Sequence, residues 1–225
     1  MRTLAYIKYF FYLAVNWNFS IALYVIRNEI KGEKKYRINT TGADELKSLE
    51  EKGIDIEHAT IYMPVSYDFL EEIFAAVNNL PDKPHHHLLD IGCGKGRILC
   101  VAPHYGFMQL KGIDFSKELI DAAAINLENK KKQFPSLDFE LYNNDAFYFE
   151  IPEDVDCIFL FNPFDEVIMS GVVYNILESL KLKPRCITVV YINPLHKEAF
   201  TIAGFKEVYY KKTMRYLEVA ILQNQ

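Results

Sequence analysis

The chain of 225 residues has only four cysteines, Cys93, Cys100, Cys157 and Cys186. No pair has metal-ligand spacing, and three of the four sit in apolar or glycine-rich context. A reduced, cytoplasmic protein therefore fits better than a disulfide scaffold. Basic charge is not in excess either: the formal net charge is −5 and the pI about 5.7. That argues against a protein built to hold long nucleic acid on a basic face. The clusters Lys130-Lys131-Lys132 and Lys211-Lys212 lack interleaved stacking aromatics and glycines, so they read as solvated ends of a helix and a strand. His85-His86-His87 has no second ligand cluster near it in sequence, and no metal is expected. Internal repeats and low-complexity segments are missing. So is a small-residue cleavage site after the N-terminal apolar stretch, and with the non-secretory cysteine pattern no signal peptide is expected.

Half of the residues are hydrophobic and 24% are charged, the balance of a folded globular chain. The 14% aromatic content fits thick packing or an aromatic-lined pocket. Tyr9 to Ile26 reads YFFYLAVNWNFSIALYVI, apolar except for Asn16, Asn18 and Ser20. Arg2 and Lys8 precede it, and Arg27, Lys31, Lys34, Lys35 and Arg37 follow. As a single helix it is just long enough to span a bilayer, but it carries mid-span asparagines. The alternatives are contact with a membrane surface and packing on the main domain or on another subunit. Asn28 to Lys52 is polar, helix and loop with no evident core, including a helix started by Thr41 and stopped at Gly53. Tyr67 to Leu80 repeats apolar residues at helical spacing, ended by Pro81 and Pro84.

From there the pattern is regular. Strands are expected at His87–Ile91, Leu110–Asp114, Leu137–Tyr142, Asp156–Phe161 and Cys186–Ile192. Between and after them, helices are expected at Arg97–His104, Lys117–Lys132, Glu166–Leu180 and Leu195–Ala203. FKEVYYKK and RYLEVAILQ close the chain as two strands. Alternation of this kind means a parallel sheet covered on both faces. The last connection is too short for a crossover, so it makes an antiparallel hairpin.

LLDIGCGKGRIL, Leu88 to Leu99, places Gly92, Gly94 and Gly96 directly after the first of these strands. Open parallel sheets bind ligands at that edge. Glycine there allows backbone angles that other residues avoid and leaves no Cβ in a ligand's way. The dinucleotide fingerprint has a different spacing, and here Arg97 takes the place of its third glycine. Asp90 would repel a pyrophosphate but suits an ammonium. Asp114, at the tip of the second strand, stands where an acidic residue grips ribose hydroxyls, while Ser116 is the better helix cap. An ammonium and an unmodified ribose together suggest an adenosyl amino acid.

LLDIGCGKGRIL, GIDFS, NNDAF and FLFNPF, in this order, resemble the ligand motifs of class I S-adenosylmethionine-dependent methyltransferases. The resemblance runs from Pro84 to Gln225. It implies a Rossmann-like α/β fold: seven strands, mostly parallel, an antiparallel C-terminal hairpin and helices on both faces. Residues 1–60 would be an N-terminal helical extension and 61–225 the methyltransferase domain. It further implies S-adenosylmethionine as cofactor. Asp90, Gly92, Gly94 and Gly96, with Cys93 between them, would surround its methionine part. Asp114 would hold the ribose, Phe115 would lie against the adenine, and Asp145 and Ala146 would meet the adenine edge. Asn162 would end the fourth strand beside the methyl group.

Asn162-Pro163-Phe164 resembles the Asn/Asp-Pro-Pro-aromatic signature of enzymes that methylate planar or primary amino nitrogens, without its second proline. Phe164 is thus a candidate wall of an acceptor slot or a core residue, and Tyr62 and Tyr67 are candidates to face the sulfonium or the acceptor. With the apolar N-terminus, the set is loosely similar to small protein-lysine methyltransferases. The expected acceptor is a protein side chain or small amine, with nucleic acid disfavoured. A small-molecule O-methyltransferase and a non-catalytic binding module on the same fold are the alternatives. The N-terminal helix would meet a membrane surface or a second copy of the chain.

Overall fold

The structure is a computed structural model and describes residues 2–16, 18–41, 64–84, 87–161, 164–213 and 217–224. Its seven strands are β1 (His87–Ile91), β2 (Gln109–Asp114), β3 (Asp138–Asn143), β4 (Cys157–Phe161), β5 (Thr188–Ile192), β6 (Lys206–Thr213) and β7 (Leu217–Gln223). They form one sheet in the order β3-β2-β1-β4-β5-β7-β6. The first five run parallel to one another, and β7 is antiparallel to both β5 and β6. Both features were expected from the sequence. Strand order reverses between β1 and β4, which opens a crevice at the carboxyl ends of these central strands.

Side chains alternate between two apolar layers, as strand geometry requires. In β4, Cys157 and Phe159 enter one layer, and Ile158 and Leu160 the other. The first layer is covered by α3 (Tyr67–Asn78), α4 (Arg97–Val101) and α5 (Lys117–Lys131). The second is covered by α6 (Glu166–Leu182) and α7 (Lys197–Ile202). Ser116 caps α5 by accepting from the Leu119 N–H, as expected, and Asp165 caps α6 through the N–H groups of Val167 and Ile168.

The N-terminus departs from the single apolar helix expected over Tyr9–Ile26. Two helices form instead, α1 (Arg2–Asn16) and α2 (Phe19–Tyr36). The break has a local cause: the Asn18 side chain accepts from the Ile21 N–H at 2.8 Å and starts a new helix. α1 packs on α2 through Tyr9, Leu13, Ala22 and Ile26. α2 continues through the polar stretch for which no core was expected, yet Asn28, Glu29, Gly32, Glu33 and Tyr36 are buried. Gly32 is where α2 crosses α3: a Cβ there would lie 2.1 Å from the Tyr67 ring. Tyr36 stacks on the same ring at 5.6 Å. Beyond Thr41, the helix expected up to Gly53 lies outside the described residues.

Candidate functional site

After Ile91 the chain turns through Gly92, Gly94 and Gly96 at φ 79°, 54° and 75°. A Cβ at such angles costs roughly 1–2 kcal/mol per residue, which accounts for three glycines in one short loop. The loop is pinned to β2: the N–H groups of Gly92 and Cys93 both donate to the Ile113 carbonyl at 2.9 Å. It is also seated on α5, since a Cβ on Gly96 would come within 3.2 Å of the Ala123 Cβ. The Cys93 side chain is buried, its Sγ 3.0 Å from where a Cβ on Gly112 would stand. Burial pushes its thiol pKa well up, so what Cys93 offers a ligand is main chain.

Two carboxylates flank this loop. Asp90, on β1, is buried, and its Oδ2 has no hydrogen-bond partner among the described residues. Burial, and then the nearby Asp114 carboxylate, raise its pKa well above the usual range. A buried acceptor without a donor costs about 1–3 kcal/mol. Such a cost is found where a ligand supplies the missing donor. Asp114 is fully organised by the main chain. Its Oδ2 accepts from the Gly94 N–H and its Oδ1 from the Ser116 N–H, each at 2.9 Å. Burial raises its pKa and these two bonds oppose the rise. The carboxylate therefore stays at the lip of the sheet instead of turning into bulk water. Each oxygen keeps a second lone pair for a hydroxyl donor.

Phe115, Asp145 and Ala146 follow the neighbouring strands β2 and β3 on the same edge. Phe115 is half-buried after β2, where Asn143 Nδ2 holds the carbonyls of Asp114 and Phe115 at 3.1 and 2.7 Å. Asp145 follows β3, exposed, its Oδ1 accepting from the Phe147 N–H at 2.8 Å, with Ala146 buried beside it. Phe164 is half-buried against the second apolar layer. Asn162, Pro163 and Tyr62 lie outside the described residues. Tyr67 is buried in α3, its hydroxyl 2.9 Å from Thr40 Oγ1, and burial raises its pKa.

One cluster was not read from the sequence. Arg97 leaves the last glycine and turns into the protein, 4.1 Å over the Tyr67 ring. Its Nη1 donates to Glu29 Oε1 at 2.7 Å and its Nη2 to Glu29 Oε2 at 2.5 Å. Nη1 also meets the Val65 carbonyl at 2.7 Å, and Nε meets Thr40 Oγ1 at 2.8 Å. Asn126 of α5 adds a second tie, its Nδ2 donating to the carbonyls of Lys95 and Asn39 at 3.0 and 3.1 Å. The glycine loop is thus bolted to α2 and to the segment that follows it. The available signal was a guanidinium directly after the glycines and two glutamates in a segment of lysines.

Residues 82–224 match a family described as a methyltransferase domain. Among solved structures, the PH0226 protein from Pyrococcus horikoshii OT3 is similar at 16% identity and TM-score 0.52, over 70% of this chain and 90% of that one. Magnesium protoporphyrin IX methyltransferase from Synechocystis, solved with bound SAM, is similar at 14% identity and TM-score 0.50, over 69% and 77%. An RNA methyltransferase from Salinibacter ruber, in complex with S-adenosyl-L-homocysteine, is similar at 15% identity and TM-score 0.51, over 72% and 93%. At these identities the solved structures speak for the fold. No curated protein matches the chain.

Proposed function

The chain belongs to the class I S-adenosylmethionine-dependent methyltransferase family, and from that premise we propose that it methylates a nitrogen of a protein side chain or a small amine. One observation carries the cofactor assignment: the buried Asp90 Oδ2, unpartnered among the described residues, beside three left-handed glycines and on the strand next to that of Asp114. This set fits the cofactor. Asp90 would accept from the ammonium of its methionine part, and Gly92, Gly94 and Gly96 offer bare main chain beneath it. Asp114 would hold the ribose hydroxyls, Phe115 would lie on the adenine, and Asp145 and Ala146 would meet the adenine edge.

When bound, the cofactor supplies a methyl group on a sulfonium, already activated for in-line displacement. What remains for the protein is to place an acceptor lone pair opposite that methyl and to keep water out. We assign Asn162, Pro163 and Phe164, which follow β4 in the sequence, to the acceptor side, and Tyr62 to the same slot. Tyr67 supports the site through Arg97. A base is needed only if the acceptor nitrogen is protonated at working pH. We take residues 61–225 as the catalytic unit, with residues 1–60 as a helical extension bound to it. The four free cysteines, three of them buried, favour the cytoplasm.

The test has two stages. Calorimetry with S-adenosylmethionine comes first, with one site of micromolar affinity expected; no binding would end the enzymatic reading. Incubation with methyl-labelled cofactor and a cell extract comes second. Label on amines or lysine side chains supports the nitrogen assignment. Label on hydroxyl or nucleic-acid fractions would overturn it.

A further inference from the structure

We propose that the α1–α2 hairpin docks the protein on an anionic phospholipid bilayer, lying on its surface. Seven of the sixteen exposed large hydrophobic residues among those described fall between Ile7 and Ile30. On α1 they form a stripe at every fourth residue: Ile7 at 47%, Phe11 at 61% and Val15 at 82% exposure. That spacing keeps them on one side of the helix over about 12 Å. Phe19, at 65% exposure, continues the apolar surface at the start of α2. α1 packs chiefly on α2, so no other described element covers this stripe.

Charge identifies what does. The chain is acidic overall, yet its first 41 residues contain seven of the 25 basic residues and two of the 30 acidic ones. Both of those acids, Glu29 and Glu33, are buried and paired inward. Glu29 binds Arg97, and Glu33 accepts from the N–H groups of Thr40 and Thr41 at 2.7 Å and from the Tyr6 hydroxyl. Lys31 and Lys35 turn to Asp68 and Glu71 on α3, at 3.6 and 2.7 Å. Lys8, Arg27 and Lys34 are exposed, and Arg27 and Lys34 share a side of α2 with the exposed Ile30. The outward charge of the described hairpin is therefore of one sign, next to aliphatic and aromatic side chains.

A second copy of the chain fits poorly, because a two-fold interface would set these cations against themselves. A nucleic acid would take the cations but offers nothing to Ile7, Val15 and Ile30. An anionic bilayer takes both, headgroups meeting the cations and acyl chains the apolar stripe. Among the described residues no helix is long and apolar enough to cross a membrane, so the hairpin lies along the surface.

The full chain should co-sediment with phosphatidylcholine vesicles containing about one third phosphatidylglycerol, and much less with phosphatidylcholine alone. Each basic residue near an anionic surface is worth about fivefold in partitioning. Arg27→Glu with Lys34→Glu should therefore lower sedimentation by about 25-fold or more, and added salt should weaken it. Phe11→Asp with Val15→Asp should abolish it. All these positions point outward, so both double variants should melt and bind S-adenosylmethionine like the wild type. If the aspartate pair unfolds the chain, the charge-reversal pair decides. The proposal is overturned if the wild type stays in solution with anionic vesicles, or if both double variants still sediment. It is also overturned if sedimentation equilibrium shows a dimer that the aspartate pair dissolves. It stands or falls separately from the methyltransferase reading, which is tested by cofactor binding.

Discussion

Glu29 of α2 and Arg97 of the glycine loop form a two-bonded ion pair with side-chain exposures of only 2% and 3%. The pair joins the N-terminal helices to the loop that would carry the cofactor. Removing one member of a buried pair leaves the other charged and uncompensated, at a cost of about 3–5 kcal/mol. Glu29→Ala and Arg97→Ala should each lower stability by about that amount in urea unfolding. Their effects should be strongly non-additive in a double-mutant cycle. Additive losses would mean that the two groups do not act as a pair.

Asp90→Asn should separate stability from binding. Burial and Asp114 raise the folded pKa of Asp90 above its unfolded value. Between those two values the folded chain holds more protons, so this group's contribution to stability falls as pH rises through that window. Asparagine removes the penalty, and the ligand-free variant should melt higher than wild type at neutral pH. The same change removes the anion meant for the ligand's ammonium, so affinity for S-adenosylmethionine should fall by about tenfold or more. In the wild type, affinity should rise with pH as Asp90 ionises. Calorimetry in buffers of different ionisation heat should show proton release on binding. Unchanged affinity in the variant would remove Asp90 from the site.

Gly96→Ala places a side chain at φ 75° with its Cβ 3.2 Å from the Ala123 Cβ. A loss of about 1–2 kcal/mol from the backbone angle alone is expected in thermal unfolding, together with weaker cofactor binding.

Gly32→Ala tests a different contact. Its Cβ would fall 2.1 Å from the Tyr67 ring, so α2 or Tyr67 must shift. Overpacking of this kind costs about 1–3 kcal/mol. Cofactor affinity should fall as well, because Tyr67 lies under Arg97. A variant that unfolds like wild type would show that α2 does not press on α3.

The second half of the fold was legible because its signals are local. His87–Ile91 is apolar and ends in glycines, and LEVAILQ follows FKEVYYKK too closely for a crossover. Asp90, the glycines and Asp114 could be placed because strand tips in such a sheet converge on one edge. The N-terminal half was read less well. Asn18 interrupts what hydropathy alone makes continuous, and a capping bond outweighs hydropathy there. Glu29 and Glu33 look like solvated charges, because burial of a charge depends on a distant partner. Their partners lie at Arg97 and in the backbone of Thr40 and Thr41. No periodicity encodes a contact across 68 residues.

The most direct measurement is calorimetric titration of the wild type and of Asp114→Ala with S-adenosylmethionine, beside a melting curve of each ligand-free protein. The wild type should bind at one site with micromolar affinity. Asp114→Ala should still fold yet lose about 100-fold or more, the worth of two hydrogen bonds to a charged group. Equal affinity in the two proteins, or no binding by the wild type, would contradict the assignment of this edge of the sheet to the cofactor.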